Sequence, residues 1–147
     1  MRTRAATEKD VARLAALDAR GGTTWSEQTF TNLFAQPGVR IIVVEDQDIA
    51  GFAVLRQVLD EAEIFTIVVD PERRRQGLGG YLLGACHKQW TDSGVRSGHL
   101  EVRASNIAAI ALYTHNGWRP TGRRASYYKD GEDAPTLSWA APKTRRE

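Results

Sequence analysis

Cysteine and histidine, the residues that staple or metallate small proteins, are scarce here: one and three among 147. A lone Cys86 excludes an internal disulfide framework and a multi-cysteine metal site. His87, His99 and His115 fall at no ligand spacing, so no metal is expected. No stretch approaches the roughly 20 apolar residues of a membrane span, and the N-terminus (Met1-Arg2-Thr3-Arg4, then Glu8, Lys9, Asp10) has no apolar signal core. A strong charge of one sign is also missing. The net charge of +2 is too small to argue for general nucleic-acid or membrane binding. There are no repeats, biased tracts or linkers. The expectation is one cytoplasmic domain over residues 1–147, large enough to bury a core without staples, with a charged, frayed tail from about residue 143.

The elements follow from periodicity and turn chemistry. Thr7 with Asp10 three residues on resembles a capping box, and Val11, Leu14, Ala15 and Leu17 follow at helical spacing until Gly21-Gly22. Ser26 reads as an N-cap, with Trp25 and Phe30 at the ends of a hydrophobic staple. The β-branched run Arg40–Val44, a turn at Asp46–Asp48, a strand from Ile49 to Val58 and a connection over Leu59–Glu63 come next. An apolar strand then ends at Val69. Asp70-Pro71 breaks it, and a long helix runs from about Gly79 to Ser93-Gly94. His99–Arg103 alternates with period two, Ser105 can cap a helix from Asn106 to about His115, and Trp118–Tyr128 and Ala134–Trp139 close the chain as strands. The pattern β-α-α-β-β-β-α-β-α-β-β predicts an α/β fold, a mixed central sheet with helices on its faces.

Between strand and long helix lies Arg73-Arg74-Arg75-Gln76-Gly77-Leu78-Gly79-Gly80. A strand, a tight glycine turn and a helix aim unpaired N–H groups at one point beyond a positive helix N-terminus. Glycine permits positive φ and close approach of an anion. Three arginines add charge that no turn requires. The segment reads as a pyrophosphate seat, with a solvated basic turn as the plain alternative. A P-loop needs Gly-Lys-Ser/Thr where Gly-Tyr stands, and a dinucleotide fingerprint needs a small residue where Leu82 stands.

Other chemistry-bearing residues are open to two readings from pattern alone. Asn106 and Tyr113 lie two turns apart on a helix face, where a tyrosine commonly packs a core with its hydroxyl at the rim. Glu101 shares a strand face with His99 and Arg103. It is either a surface ion-pair partner or a general base, and a carboxylate serves as a base near neutrality only where burial or like charge raises its pKa from about 4.3. Cys86 beside His87 is no dyad, because helix neighbours point apart, and a buried cysteine accounts for it.

Arg74, Gly77 and Gly79 meet the pattern Arg/Gln-x-x-Gly-x-Gly/Ala, which resembles the acetyl-CoA loop of the GNAT superfamily of N-acetyltransferases. Leu100-Glu101-Val102-Arg103-Ala104-Ser105-Asn106, Ala108–Tyr113 and Asn116-Gly117-Trp118 are similar to its RimI branch, the ribosomal-protein-alanine N-acetyltransferases. So are Trp25–Phe30, Val58–Glu63 and Arg123–Tyr128, so the likeness covers nearly the whole chain in order. It implies the GNAT fold, acetyl-CoA as cosubstrate and a protein N-terminal amine, that of a small-subunit ribosomal protein, as acceptor. It assigns Glu101 as general base through water and Tyr113 as the acid for the departing thiolate. Ile67, Val68 and Val69 would bind the pantetheine arm where their strand splays from its neighbour. Arg74, Arg75, Gln76, Gly77, Leu78, Gly79 and Gly80 would hold the pyrophosphate, with Asn106 a further coenzyme contact. Gly80 stands where the family often has a basic residue, Trp118 replaces the usual Phe, and Gly21-Gly22-Thr23-Thr24 departs in the loop that borders the acceptor.

An α-amine, with pKa about 7.7–8.0 against about 10.4 for lysine, is easier to deprotonate at neutral pH by roughly 3 kcal/mol. Asp60, Glu61 and Glu63 can orient such a cation or serve as a solvated acidic turn. The rival readings are a GNAT enzyme for small-molecule amines and a non-catalytic CoA-binding module. Retention of Glu101, Tyr113 and the full loop weighs against the second.

Overall fold

Among the described residues, α-helices and β-strands follow the expected order: β1 (Arg2–Ala5), α1 (Val11–Gly21), α2 (Glu27–Phe34), β2 (Val39–Asp46), β3 (Asp48–Val58), β4 (Glu61–Val69), α3 (Leu78–Asp92), β5 (Ser97–Glu101), α4 (Ile107–His115), β6 (Arg119–Arg124) and β7 (Ala134–Ala140). The computed structural model describes residues 1–74 and 76–142. The expected contact Arg75 and the tail from 143 lie outside the described residues. The strands form one seven-stranded sheet in the order β1-β2-β3-β4-β5-β7-β6, antiparallel except for β4 with β5.

Alternating side chains split the core in two. Ile41, Val43, Phe52 and Val54 go to one face, where α1 and α2 bury Leu14, Leu17, Phe30 and Leu33 against them. Ile42, Val44, Ala53 and Leu55 go to the other, under Leu82, Leu83, Cys86 and Trp90 of α3. Each fully buried Leu or Phe contributes about 1.5–3 kcal/mol relative to exposure. The Ser26 cap forms, its hydroxyl accepting from Thr29 N at 3.1 Å, and the Trp25 and Phe30 rings meet edge to face at 5.8 Å.

Three expectations are corrected. Glu61–Glu63 is strand rather than connection, because its carboxylates alternate with Ala62 on a paired strand, and only Leu59-Asp60 turns. Asn106 rather than Ser105 caps α4, its Oδ1 accepting from Ala109 N at 3.1 Å. β6 stops at Arg124, because the Asp133 carboxylate takes the Ser126 N–H at 2.9 Å and turns the chain out with Ser126 at φ 50°.

The departure at Trp118 has a local partner. Trp118 Nε1 donates to His87 Nε2 at 2.9 Å, and His87 stacks on Trp139 at 4.8 Å between ring centres. Burial lowers the His87 pKa to about 4. The unfolded ring protonates near pH 6.5. Between those values the unfolded chain binds a proton that the folded one does not. Stability from this group is therefore complete above about pH 6.5 and declines as pH falls towards 4. Partial solvent access of the ring limits the loss to about 1–2 kcal/mol. Thermal melts between about pH 7.5 and about pH 4.5 should show it. His87→Gln, which still offers an acceptor to the indole, should melt with a shallower acid decline than wild type.

Candidate active site

The strand–turn–helix segment is anchored from beneath. Asp70 is buried, accepts the Glu72 N–H at 3.0 Å and lies 3.3 Å from Arg20 Nη2. The three arginines then divide. Arg73 has a structural tie, its guanidinium donating to the Asp46 carbonyl at 3.1 Å and pairing with the Asp46 carboxylate, although it also borders a groove beside α3. The sequence reading, which took all three as charge beyond structural need, is corrected there. Arg74 makes no ion pair among the described residues and lines the same groove. Gly77 takes φ 78°, a left-handed conformation that L side chains resist, and leads into α3 without a side-chain cap. The first N–H groups of α3 are left as donors at the helix's positive end.

The groove, about 540 Å³, runs from that helix end along β4. β4 pairs with β5 only through Glu61, Ala62 and Glu63, opposite Ser97, Gly98 and His99. Beyond Glu63 the strands diverge, and the edge from Ile64 to Val69 has no strand partner on that side. A bulge aids the divergence: Val54 faces Thr66 and Leu55 faces Ile64, leaving Phe65 unpaired. It also resets the alternation, so that Ala62, Ile64, Ile67 and Val69 all reach the α3 side.

Nine of the eleven expected coenzyme residues share this groove: Ile67, Val68, Val69, Arg74, Gly77, Leu78, Gly79, Gly80 and Asn106. Gln76 is exposed outside the lining, and Arg75 is not described. Because Asn106 Oδ1 caps α4, its amide NH2 is the part left to donate to a ligand. The donor set fits a phosphate-bearing coenzyme with an amide arm. Uncapped N–H groups and a guanidinium unpaired among the described residues lie at one end, an unpartnered strand edge at the other, and Leu78, Ala109 and Leu112 between.

Glu101 and Tyr113 fall outside the groove lining, on opposite faces of the sheet. Leu100 and Val102 pack in the same cluster as Tyr113, so Glu101 points the other way. Glu101 is the last residue of β5 rather than mid-strand, and its partner is Arg124, Nε to Oε1 3.0 Å, not Arg103. Arg103 pairs instead with Asp130 and Glu132 and lies over the Tyr128 ring. Tyr113 is 4 % exposed against Trp118. Burial, with a smaller effect of Cys86, drives its phenol pKa up, so it keeps its proton. Burial likewise pushes the Cys86 thiol up to about 12, which makes it inert as a nucleophile.

α1 and α2 cover one face only as far as β4. Past them it is open and polar: Glu61, Glu63, His99 and Glu101, with Thr121, Arg124, Thr136 and Ser138 beyond. Asp60 lies outside this surface and uses its carbonyl to hold Arg96 and Ser97. At the border stands the α1–α2 loop. It is organised by Asp18, fully buried, which accepts from Thr23 N, Thr23 Oγ1 and Trp25 N at 2.7–2.8 Å. Gly22 is required there, since a Cβ would lie 1.9 Å from Asp18 Oδ1 and 2.8 Å from Val68 Cγ2. Sequence reasoning missed Asp18, whose position on the buried stripe of α1 was the only signal. It also gave Arg124 and Tyr127 no role of their own.

No helix among the described residues is long and apolar enough to cross a membrane, and none of their His, Cys, Asp and Glu side chains group as a metal site. Residues 9–118 match the model of the acetyltransferase (GNAT) family. The chain is 43% identical over 113 residues to the ribosomal protein bS18-alanine N-acetyltransferase of Escherichia coli K12, covering 75% of this chain and 76% of that one. It is 34% identical over 122 residues to the enzyme of the same name from Haemophilus ducreyi, covering 82% and 84%. The crystal structure of the ribosomal-protein-S18-alanine N-acetyltransferase from Escherichia coli superposes with a TM-score of 0.88 at 34% identity, covering 99% of this chain and 96% of that one.

Proposed function

The chain belongs to the acetyltransferase (GNAT) family, and from that premise we propose that it moves acetyl from acetyl-CoA to the N-terminal α-amine of a protein, an alanine of a small-subunit ribosomal protein. It is an acyltransferase with acetyl-CoA as cosubstrate, and we place it in the cytoplasm. The observation that carries the reading is the wedge between β4 and β5. A coenzyme-sized groove opens on one side of it and an uncovered acidic sheet face on the other.

Within that frame the residues divide the work. The N-terminal N–H groups of α3, from Leu78 to Gly80, and Arg74 hold the pyrophosphate, and the free edge at Ile67–Val69 receives the amide arm. The coenzyme, when bound, supplies an acetyl thioester. On the open face Glu61 and Glu63 draw in a cationic chain end, and Glu101 takes one proton from the ammonium, through water, so that the nitrogen lone pair can attack the thioester carbon. The C–N bond forms and the C–S bond breaks. From the opposite face Tyr113 donates a hydrogen bond to the sulfur as negative charge develops there, and passes on the second proton that nitrogen loses. The products are the acetylated amine and the free thiol, with Glu101 returning its proton to solvent.

Hexapeptides beginning in alanine test the assignment, one with a free N-terminus and its twin blocked and carrying an internal lysine. Thiol release with mass spectrometry should show acetylation of the free-ended peptide alone. Acetylation of neither, with coenzyme still bound, would sink the peptide reading in favour of a small amine. Turnover of the lysine twin would redirect it to side-chain acetylation.

A further inference from the structure

The carboxylate read above as the base is already engaged. Arg124 Nε lies 3.0 Å from Glu101 Oε1 as an ion pair, and the Arg124 side chain is 61% exposed against 23% for Glu101. Arg124 ends β6, an edge strand paired only with β7, and its guanidinium also lies 5.6 Å from the centre of the Tyr127 ring. The other charged and titratable groups around Glu101 come from every neighbouring element: Arg56 from β3, Glu61 and Glu63 from β4, His99 from β5, and Tyr127 and Tyr128 from the β6–β7 connection. His99 Nε2 is 3.5 Å from Glu61, and Arg123 is held by Asp133 at 2.9 Å. Arg124 is thus the one cation paired with Glu101 among the described residues.

We propose that Arg124 is a displaceable counter-ion: its guanidinium occupies, at Glu101, the place that the α-ammonium of the acceptor takes, and it withdraws as the acceptor binds. The chemistry separates the two cations. A guanidinium keeps its proton at any relevant pH, so Arg124 gives Glu101 nothing to accept. An α-ammonium carries the same charge and can surrender a proton. An exposed ion pair is weak, so exchanging one cation for another costs little. Between turnovers the pair shields a carboxylate that shares its sheet face with Glu61 and Glu63. The face of Tyr127 is a second resting place for the displaced side chain. Arg124 acts through Glu101 and is a positioning residue. The inference rests on the N-terminal acceptor reading.

The test is Arg124→Gln with Arg124→Lys beside it, each assayed two ways. The first is equilibrium binding of the free-ended alanine hexapeptide and its N-blocked twin to the CoA-loaded enzyme. Arg124→Gln should tighten the free-ended peptide by about threefold to tenfold, leave the blocked twin unchanged, and Arg124→Lys should restore wild-type behaviour. The second is steady-state kinetics, in which Arg124→Gln should lower KM for the free-ended peptide by a similar factor with kcat within about twofold, and Arg124→Lys should return KM to the wild-type value. Weaker binding of both peptides would overturn the proposal by making Arg124 a direct ligand of the acceptor. Unchanged binding and an unchanged KM would overturn it by making the pair ornamental. Failure of the base reading itself shows elsewhere, as full turnover by Glu101→Gln, and is separable because the binding arm needs no chemistry.

Discussion

Glu101→Gln is expected to lower kcat/KM for a free-ended alanine peptide by about 10²–10⁴-fold, the range a positioned general base contributes. Glutamine keeps the shape of the side chain and a polar oxygen beside Arg124, but it cannot take a proton at neutral pH. The fold should tolerate it, since Glu101 closes a strand at a partly exposed position and its backbone register opposite Thr136 is untouched. Coenzyme affinity should hold within about twofold, because the residue lies outside the groove lining and on the far sheet face from Tyr113. Steady-state kinetics with a parallel CoA-binding measurement decide the matter. A variant at wild-type rate would hand the proton to water or another group. One that lost coenzyme binding would make Glu101 a structural support of the wedge.

The second large effect lies in the support beneath the site. A Cβ at Gly98 would stand 2.7 Å from Trp90 Cζ3 and 3.1 Å from Trp118 Cη2, both rings nearly fully buried. Neither ring can rotate aside, because Trp90, Trp118, Trp139 and His87 pack ring to ring at 4.8–6.1 Å. Gly98→Val is therefore expected to destabilise the protein by about 3 kcal/mol, at the upper end of overpacking costs, seen as a fall of roughly 6–12 °C in the melting temperature. The same contact sets α3, whose N-terminus offers the anion seat, against β5, whose last residue is Glu101. Residual folded variant should lose both coenzyme affinity and turnover, unlike Glu101→Gln. A melting temperature within a degree of wild type would show that the aromatic cluster repacks freely and does not hold those elements in register.

Element order and the glycine turn between β4 and α3 could be read in advance because their signals are short-range. Helical spacing in Val11–Leu17, the Ser26 cap and the glycine turn at Gly77 act within a few residues, and each forms as expected. The resemblance added roles for Glu101, Tyr113 and Asn106 that spacing alone left open. The errors also have short-range causes. Glu61 and Glu63 look like a turn because charge crowds the segment, yet the open face of a paired strand carries charges at every second position. Arg73 looks like ligand charge because Asp46, which holds it, is remote in sequence.

Other features were beyond any local reading because they depend on register between distant segments. The apolar run Ile64–Val69 cannot reveal a bulge at Phe65, since the bulge exists only against Leu55 and Val54. Nor can it reveal that pairing with β5 stops after Glu63 and opens the wedge. Period-two alternation puts Glu101 and Leu100 on opposite sides of β5, but the packing of α4 is what brings Tyr113 to Leu100's side. Arg124 meets Glu101 because β6 and β5 both pair with β7, a coincidence of three strands. The chain's local chemistry thus specified which elements form and where an anion can be bound. Long-range pairing placed Glu101 and Arg124 on one face of the sheet and Tyr113 on the other, because a contact between segments is settled only when the sheet that joins them closes.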